Sequence, residues 1–491
     1  MNADKTRFIA CAIILLTSWF TWLSQPLPVL DEESYLWIAE NLSWSRPYDW
    51  PLPWPPFDEN AYIYAHPPLF LWMVKAIQGW TSSVATMKVA LAVPWQLLLT
   101  GSVAWLAIER SKHPWQMILV WGTMAGVALP STRSLMPDLQ VSALGTFAMT
   151  VWILAPRDFR WMCLGGLALG LAAWTKYPAL LLLIVPLMHP RDRSATSTFV
   201  GTALGLVFIG ECWLAWSYER FHLVEVLVRA PEIARGNVDT RLVGICNRLP
   251  VSGFALVFLS ILHFGRGKYS LLMGFAVFGW WKAGDLGVQG VYGAALLTAL
   301  GGQSIRSIFG KTPVHTWGWI VFFGVLMVHN YASPRYWLLA MAPATLLLLN
   351  TTTIRGLVWV AVLISGIGTY FLAQTEAIHA AESQKLAQQI QQEYPQADFS
   401  GEWTFRWQMR TLRMDHIQQS QPKWVLLARN SSGGLTAPAK YELQRTFDGA
   451  PHFLQMVSAE HSVGYYSETL GFWPIAWKDA PIEQVQVWKR K

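Results

Sequence analysis

The stretch QPLPVLDEESYLWIAENL, Gln25 to Leu42, decides how this chain is read. It follows an apolar run, Phe8 to Leu23, and sets three carboxylates, Asp31, Glu32 and Glu33, where a membrane-spanning helix would leave the bilayer. Pro26 and Pro28 stop the first helix. From Asp31 onward a second helix is predicted, with Tyr35, Ile38, Ala39 and Leu42 on one face at helical spacing. Such an amphipathic segment is expected to lie along the membrane surface. Asp31 and Tyr35, four apart, share that face. Two accounts of the acids stand side by side: Asp as an N-cap with Glu favouring the helix dipole, or carboxylates facing a ligand.

Working outward, 53% of the 491 residues are apolar and 14% are charged, against roughly one quarter charged in ordinary soluble domains. The expectation is a membrane protein. Apolar runs near the roughly 20 residues that span a bilayer recur to about Phe371, and the chain from about Gln374 to Lys491 is polar and mixed. Two domains are therefore expected, residues 1–373 with a first outer loop over about 25–84, and residues 374–491. The first run lacks a small-residue cleavage site before Gln25 and is read as a retained span. The net charge of +7 resides mostly in short loops, which fits membrane topology and not a nucleic-acid partner. The four cysteines, Cys11, Cys163, Cys212 and Cys246, have no metal-ligand spacing and form no disulfide framework.

Cytoplasmic loops carry an excess of Lys and Arg. From Lys5 and Arg7, alternate loops hold Arg110 and Lys112, Arg157 and Arg160, Arg191 and Arg193, Arg266 and Lys268, Arg306 and Lys311, then Arg355. This scheme gives about 13 spans, with one open division where WWKAGDLGVQG, Trp280 to Gly290, interrupts an apolar stretch. An odd count puts the C-terminal domain outside, beside the acidic segment and a loop with Trp37, Trp44, Trp50, Trp54, Trp72 and Trp80. Arg133, Lys176, Lys282 and Arg335 stand in outer loops against the sign bias. Snorkelling explains any one of them; together, on the side of the carboxylates, they fit an anionic ligand.

Asp138 follows Pro137 at the outer end of another span, as a cap or as a second acid at the depth of Asp31. Converging carboxylates can accept a proton or hold a divalent cation. FGKT, Phe309 to Thr312, lacks the earlier glycine of a phosphate loop, and Ile305 stands there. GLALG, Gly166 to Gly170, and GTALG, Gly201 to Gly205, are glycine pairs that mark close helix packing. His66 precedes Pro67 and Pro68, which direct the chain into an apolar helix. After Gln374 a helix is expected over about Glu376 to Tyr394, followed by strands in KWVLLARN, YELQRTFD and EQVQVWKR, a small mixed α/β domain over the membrane cavity.

VLDEESYLWIAENL, YAHPPLFLWMVKAI, RSLMPDLQVSAL, WTKYPALLLLIVPL, ASPRYWLLAMAPATLLL and FSGEWTFRWQM, in this order and spacing, resemble the bacterial integral-membrane glycosyltransferases of the GT-C class. The likeness is to the branch with protein O-mannosyltransferases and lipid A aminoarabinose transferases. It implies a mainly α, polytopic transmembrane bundle with an extracytoplasmic C-terminal domain, in the cytoplasmic (inner) membrane. It also implies hexosyl or pentosyl transfer from a polyprenyl-phosphate-linked donor to a glycan, lipid or protein acceptor at the outer face. Carried over by residue, Asp31 and Glu32 match the acidic pair of the first loop and Asp138 the second acidic position. Lys176 and Arg335, accompanied by Tyr336, match cations near the donor phosphate. His66 stands where many relatives have Lys. Gly401, Trp403 and Arg406 resemble a family element whose role is packing or acceptor contact.

A sugar leaving from phosphate needs cations more than a proton donor, and the acceptor hydroxyl needs a base. Asp31 is the first choice for that base, with Glu32 or Asp138 orienting the acceptor, Tyr35 a substrate contact, and Lys176, Arg335, Tyr336 and His66 facing phosphate. The sequence singles out no cofactor; a divalent metal, if used, would be held by Asp31 and Asp138. Direct displacement would invert the anomeric centre. The rivals are a transporter or flippase of a lipid-linked sugar and a glycan polymerase or ligase. No inverted halves are evident, which disfavours the transporter.

Overall fold

The computed structural model describes residues 27–28, 31–44, 67–128, 135–155, 158–189, 196–197, 200–205, 310–328, 333–351, 355–401, 403–415, 422–430, 439–458, 463–464 and 475–491. The first apolar run, His66, Arg133, the Trp280 to Gly290 division with Lys282, and the loop tryptophans Trp50 and Trp54 lie outside these residues.

The described N-terminal part is a helical bundle. Its elements are α1 (Glu32–Asn41), α2 (Leu69–Gln78), α3 (Val84–Arg110), α4 (Pro114–Ala128), α5 (Pro137–Leu154), α6 (Phe159–Ala173), a 3-10 turn (Tyr177–Leu183) leading into α7 (Ile184–Met188), α8 (Pro313–Val328) and α9 (Leu338–Thr351). The helix starts follow local rules. Pro67 and Pro68 lead into α2, the Ser83 hydroxyl accepts the Thr86 N–H at the start of α3, and Pro137 opens α5. Among the described residues α3 has the length and hydropathy of a membrane span, whereas α2, α6 and the Tyr177–Met188 segment are shorter apolar helices.

The two ends of the bundle differ in chemistry. At one end the Arg110 guanidinium donates to the Ile153 carbonyl at 3.1 Å, and Asn350 ties the Lys112 N–H to the Arg110 carbonyl at 2.9 and 3.0 Å. Trp105 meets Trp161 there with ring centroids 5.5 Å apart. The opposite ends of α3 and α5 carry Lys88 and Asp138. Arg110 and Lys112, assigned to one side by the sign bias, thus sit a helix length away from Asp138 and Lys176.

The amphipathic reading of α1 needs correction. Tyr35, Ile38, Ala39 and Leu42 are buried as one face, but protein covers them, and Glu32, Glu33 and Leu36 are buried as well. The helix lies against α2, where Gln78 reaches the Leu36 carbonyl at 3.0 Å and Lys75 the Ala39 carbonyl at 3.2 Å. A ten-residue helix with acids at its first turn needs partners on more than one side, and these come from other segments of the chain.

Arg355–Glu393 forms one helix of 39 residues, α10, roughly 58 Å long. The helix expected over Glu376 to Tyr394 is its second half, so the expected boundary near residue 374 falls inside a continuous helix. Its first half meets α4, where Thr369 donates to the Thr123 carbonyl at 3.4 Å. Its far end offers Leu386, Ala387 and Ile390 to a small sheet. The sheet has the order β1 (Asp398–Ser400), β2 (Trp424–Ala428), β8 (Gln484–Arg490), β3 (Tyr441–Asp448), with β1 and β2 parallel and the other pairs antiparallel, and beside it β4 (Pro451–Gln455) pairs with β7 (Ala476–Pro481) and β5 (Val457–Ser458) with β6 (Val463–Gly464). β2, β3 and β8 are the three strands expected from alternation, and Val485 and Val487 turn inward on Phe399, Phe405 and Phe447. A helix α11 (Trp403–Thr411) joins this domain to α1.

The glycine pairs do mark close packing. A Cβ on Gly170 would stand 2.8 Å from the Thr202 carbonyl oxygen and 3.0 Å from the Gly205 Cα, so α6 and residues 200–205 touch backbone to backbone. Gly170→Val is expected to lower the stability of the detergent-solubilised protein by about 1–3 kcal/mol. Gly101→Ala, where a Cβ meets nothing within 4 Å, is expected to be neutral or to gain up to about 1 kcal/mol. Thermal unfolding of the two variants checks both, and equal melting would remove the packing account.

Candidate active site

The site is assembled from places where helices stop. Trp174 and Thr175 end α6, and Lys176 is extended (φ −151°, ψ 121°) before the 3-10 turn with Pro178. Ser333 is likewise extended before Pro334, and the 3-10 turn Pro334–Trp337 presents Arg335 and Tyr336. Met136 is extended before Pro137, which puts Asp138 in the first turn of α5. Proline fixes the direction of each break and frees side chains from helix packing.

These breaks converge. Lys176 Nζ is 2.6 Å from Asp138 Oδ1, and Arg335 Nε is 3.4 Å from Asp138 Oδ2. Arg335 Nη2 is 3.4 Å from Asp31 Oδ2, and Nη1 donates to the Met136 sulfur. The Tyr336 ring lies 4.9 Å from Lys176 Nζ and 5.3 Å from the guanidinium carbon, so both cations face its π-surface. Asp31 occupies the N-cap position of α1 without capping it. Asp31 makes no capping bond and its side chain turns to Arg335, while Met136 occupies the cap position before Asp138. Asp138, Lys176, Arg335 and Tyr336 line a cleft of about 540 Å³, open mouth included, whose other walls include Val141, Leu182, Val321 and Leu339.

Glu32 goes elsewhere. It is fully buried, 2.6 Å from the equally buried Lys88, and accepts the Leu135 N–H. Lys88 also donates to the Leu27 carbonyl at 2.7 Å. Glu33, fully buried too, faces Arg410 at 2.6 Å and Arg406 at 3.6 Å on α11. Consecutive residues on a helix point about 100° apart, so Asp31, Glu32 and Glu33 meet three different groups. Tyr35 is buried edge-on to Phe70, centroids 5.4 Å apart.

Sequence reading missed Lys88 because it sits in the first turns of a long apolar helix, where a lysine passes for an interfacial anchor. Its position at the end of α3 opposite Arg110, where the sign bias expects few cations, was the available signal. The partnership of Glu33 with Arg406 and Arg410 had no local signal.

Among the described residues no group of three or more His, Cys, Asp and Glu side chains could hold a metal ion. Arg335 pairs with both Asp31 and Asp138, the two ligands named for a metal. These donors do not fit a metal shared between them while the guanidinium is there.

Breaking a buried ion pair strands a charge. Lys88→Met is therefore expected to destabilise the protein by about 3–5 kcal/mol, and Glu32→Gln/Lys88→Met to recover most of that loss. Melting temperatures of the single and double variants measure it, and an unaltered Lys88→Met would show that the pair does not hold the fold.

No protein-family profile and no curated protein matches the sequence. Structure comparison returns the crystal structure of ArnT from Cupriavidus metallidurans bound to undecaprenyl phosphate, at 14% identity, covering 86% of this chain and 92% of that one with a TM-score of 0.44. The apo crystal structure of the same protein aligns at 16% identity over the same shares, with a TM-score of 0.41. The cryo-EM structure of the arabinosyltransferase EmbB from Mycobacterium smegmatis aligns at 11% identity over 82% of this chain and 42% of that one, with a TM-score of 0.34. ArnT, a lipid A aminoarabinose transferase, and EmbB are both GT-C glycosyltransferases, the class that the sequence motifs of this chain resemble.

Proposed function

We propose that this protein is a membrane glycosyltransferase that moves a sugar from a polyprenyl-phosphate carrier to an acceptor hydroxyl at the outer face of the cytoplasmic membrane, with inversion. The observation that carries this reading is the meeting of two carboxylates and two cations, of which Asp138, Lys176 and Arg335 line a cleft with apolar walls. A charged end beside an apolar wall suits a phosphate with a hydrocarbon tail.

The roles follow from exposure and pairing. The Asp31 side chain is 37% exposed and Asp138 only 6%. Asp138 has a cation on each oxygen, which suits it to orienting Lys176 and Arg335. Asp31 is the better base. It takes the acceptor proton as the acceptor oxygen bonds to the anomeric carbon from the side opposite the leaving group. The bond from that carbon to the phosphate oxygen breaks, and the lipid phosphate departs with the added negative charge. Lys has three donors and Arg five, so Lys176 and Arg335 keep N–H groups for phosphate while paired with Asp138. Tyr336 separates and orients the two cations. Glu32 has a positioning role in this scheme, Tyr35 supports the Asp31 helix, and His66 remains a proposed phosphate contact.

The C-terminal domain contacts the carboxylate end of the bundle through Thr404 and Trp403, which supports an extracytoplasmic domain over the site. A flippase would use the same charges to pass the lipid across, and a polymerase or ligase would use them with a larger acceptor.

Purified protein given a labelled polyprenyl-phosphate sugar and envelope acceptors is expected to transfer the label, while vesicle transport of the intact donor without transfer would favour the flippase. Mass spectrometry of envelope glycans with and without the protein identifies sugar and acceptor together. Asp31→Asn and Asp138→Asn are expected to abolish transfer at near-normal protein level, and normal transfer by both would sink the proposal. Arg335→Lys is expected to lower donor efficiency about 10-fold to 150-fold with less change for the acceptor, because an ammonium cannot bind two phosphate oxygens as a planar fork. Unchanged donor kinetics would return Arg335 to an interfacial role.

A further inference from the structure

The Asp31 carboxylate sits between two donors of different origin. Its Oδ2 faces Arg335 Nη2 at 3.4 Å, and its Oδ1 accepts the indole N–H of Trp403 at 3.1 Å. Trp403 belongs to the C-terminal domain, 372 residues along the chain from Asp31. It is 8% exposed, and its backbone is left-handed, with φ 59°. A bulky residue adopts that conformation only when its surroundings impose it. They do so here. Thr404 donates to the Pro28 carbonyl at 2.8 Å, Arg410 and Arg406 hold Glu33 two residues beyond Asp31, and Phe405 fills the space beside Gly401 so that a Cβ there would stand 2.6 Å from its ring. Helix α11 is thereby fastened to the segment that carries Asp31 on both sides of the carboxylate.

An arginine opposite a carboxylate tends toward a two-pronged pair that occupies both oxygens. Nη1, the second nitrogen of such a fork, donates instead to the Met136 thioether, a weak acceptor. The pair observed uses Nη2 alone. A closed fork would fill the lone pairs that a base needs and the N–H groups that a phosphate needs.

We propose that Trp403 is a positioning residue of the reaction: its indole N–H holds Asp31 Oδ1 away from Arg335, keeping the base and the phosphate-binding guanidinium from closing on each other. The catalytic site is then incomplete without the C-terminal domain. This inference rests on the reading of Asp31 as the base.

Trp403→Phe keeps an aromatic ring and removes the N–H, whereas Trp403→Leu removes both. Turnover of the labelled lipid-linked sugar is measured for both full-length variants beside Asp31→Asn. Trp403→Phe is expected to lower kcat at least about tenfold, nearly as far as Trp403→Leu, with the acceptor KM and the melting temperature unchanged. A packing role predicts a normal Trp403→Phe and a defective, less stable Trp403→Leu. Normal kcat in Trp403→Phe with an inactive Asp31→Asn overturns the assignment and leaves the base reading standing. An active Asp31→Asn overturns the base reading and this assignment with it. A structure of Trp403→Phe gives a readout independent of turnover: both Asp31 oxygens on Arg335 are expected, and retention of the single Oδ2 contact overturns the proposal.

Discussion

A carboxylate removed from water must find a cation or donors, and this requirement organises one end of the molecule. Glu32 and Lys88 are both fully buried and 2.6 Å apart. Around them the Leu27 carbonyl and the Leu135 N–H complete the bonding, so a single ion pair joins the segment before α1, the first turn of α1, α3 and the approach to α5. The Asp31 and Asp138 backbones are each within three residues of a group held by this pair. Their convergence on Arg335 depends on it.

The same requirement docks the C-terminal domain. Glu33 is fully buried and its cations, Arg406 and Arg410, come from α11. The domain is thus held from two directions, by the continuous helix α10 and by charge pairing at α1. Hydrophobic contact alone would let two such bodies slide, because apolar burial has no preferred direction. Ion pairs and the Trp403 bond fix the register.

Much of the framework was legible in local sequence. The helix after Asp31, the helix after Pro67 and Pro68, the close packing at Gly170, and strands β2, β3 and β8 all follow from short-range rules of geometry and period. The meeting of Asp138 with Lys176 and Arg335 was legible in part, because residues violating the charge bias at one membrane face have few reasons to be there. Glu32, expected beside Asp31 to orient the acceptor, pairs with Lys88, while Asp31 faces Arg335. Nothing local singles out Lys88 or Arg410, and Trp403 and Arg406 are legible only as a family element for packing or acceptor contact.

By itself the sequence determined the apolar helical bundle, the starts of α1, α2 and α5 and three strands of the C-terminal domain, since each depends on residues a few positions apart. The tertiary structure alone decided which cation each carboxylate meets. Arg335 lies 304 residues from Asp31 and Trp403 lies 372 from it, and no periodicity extends over such separations. Three consecutive acids have the same local pattern, but the helix turns them about 100° apart, and what stands in each direction is set by segments folded in from elsewhere in the chain.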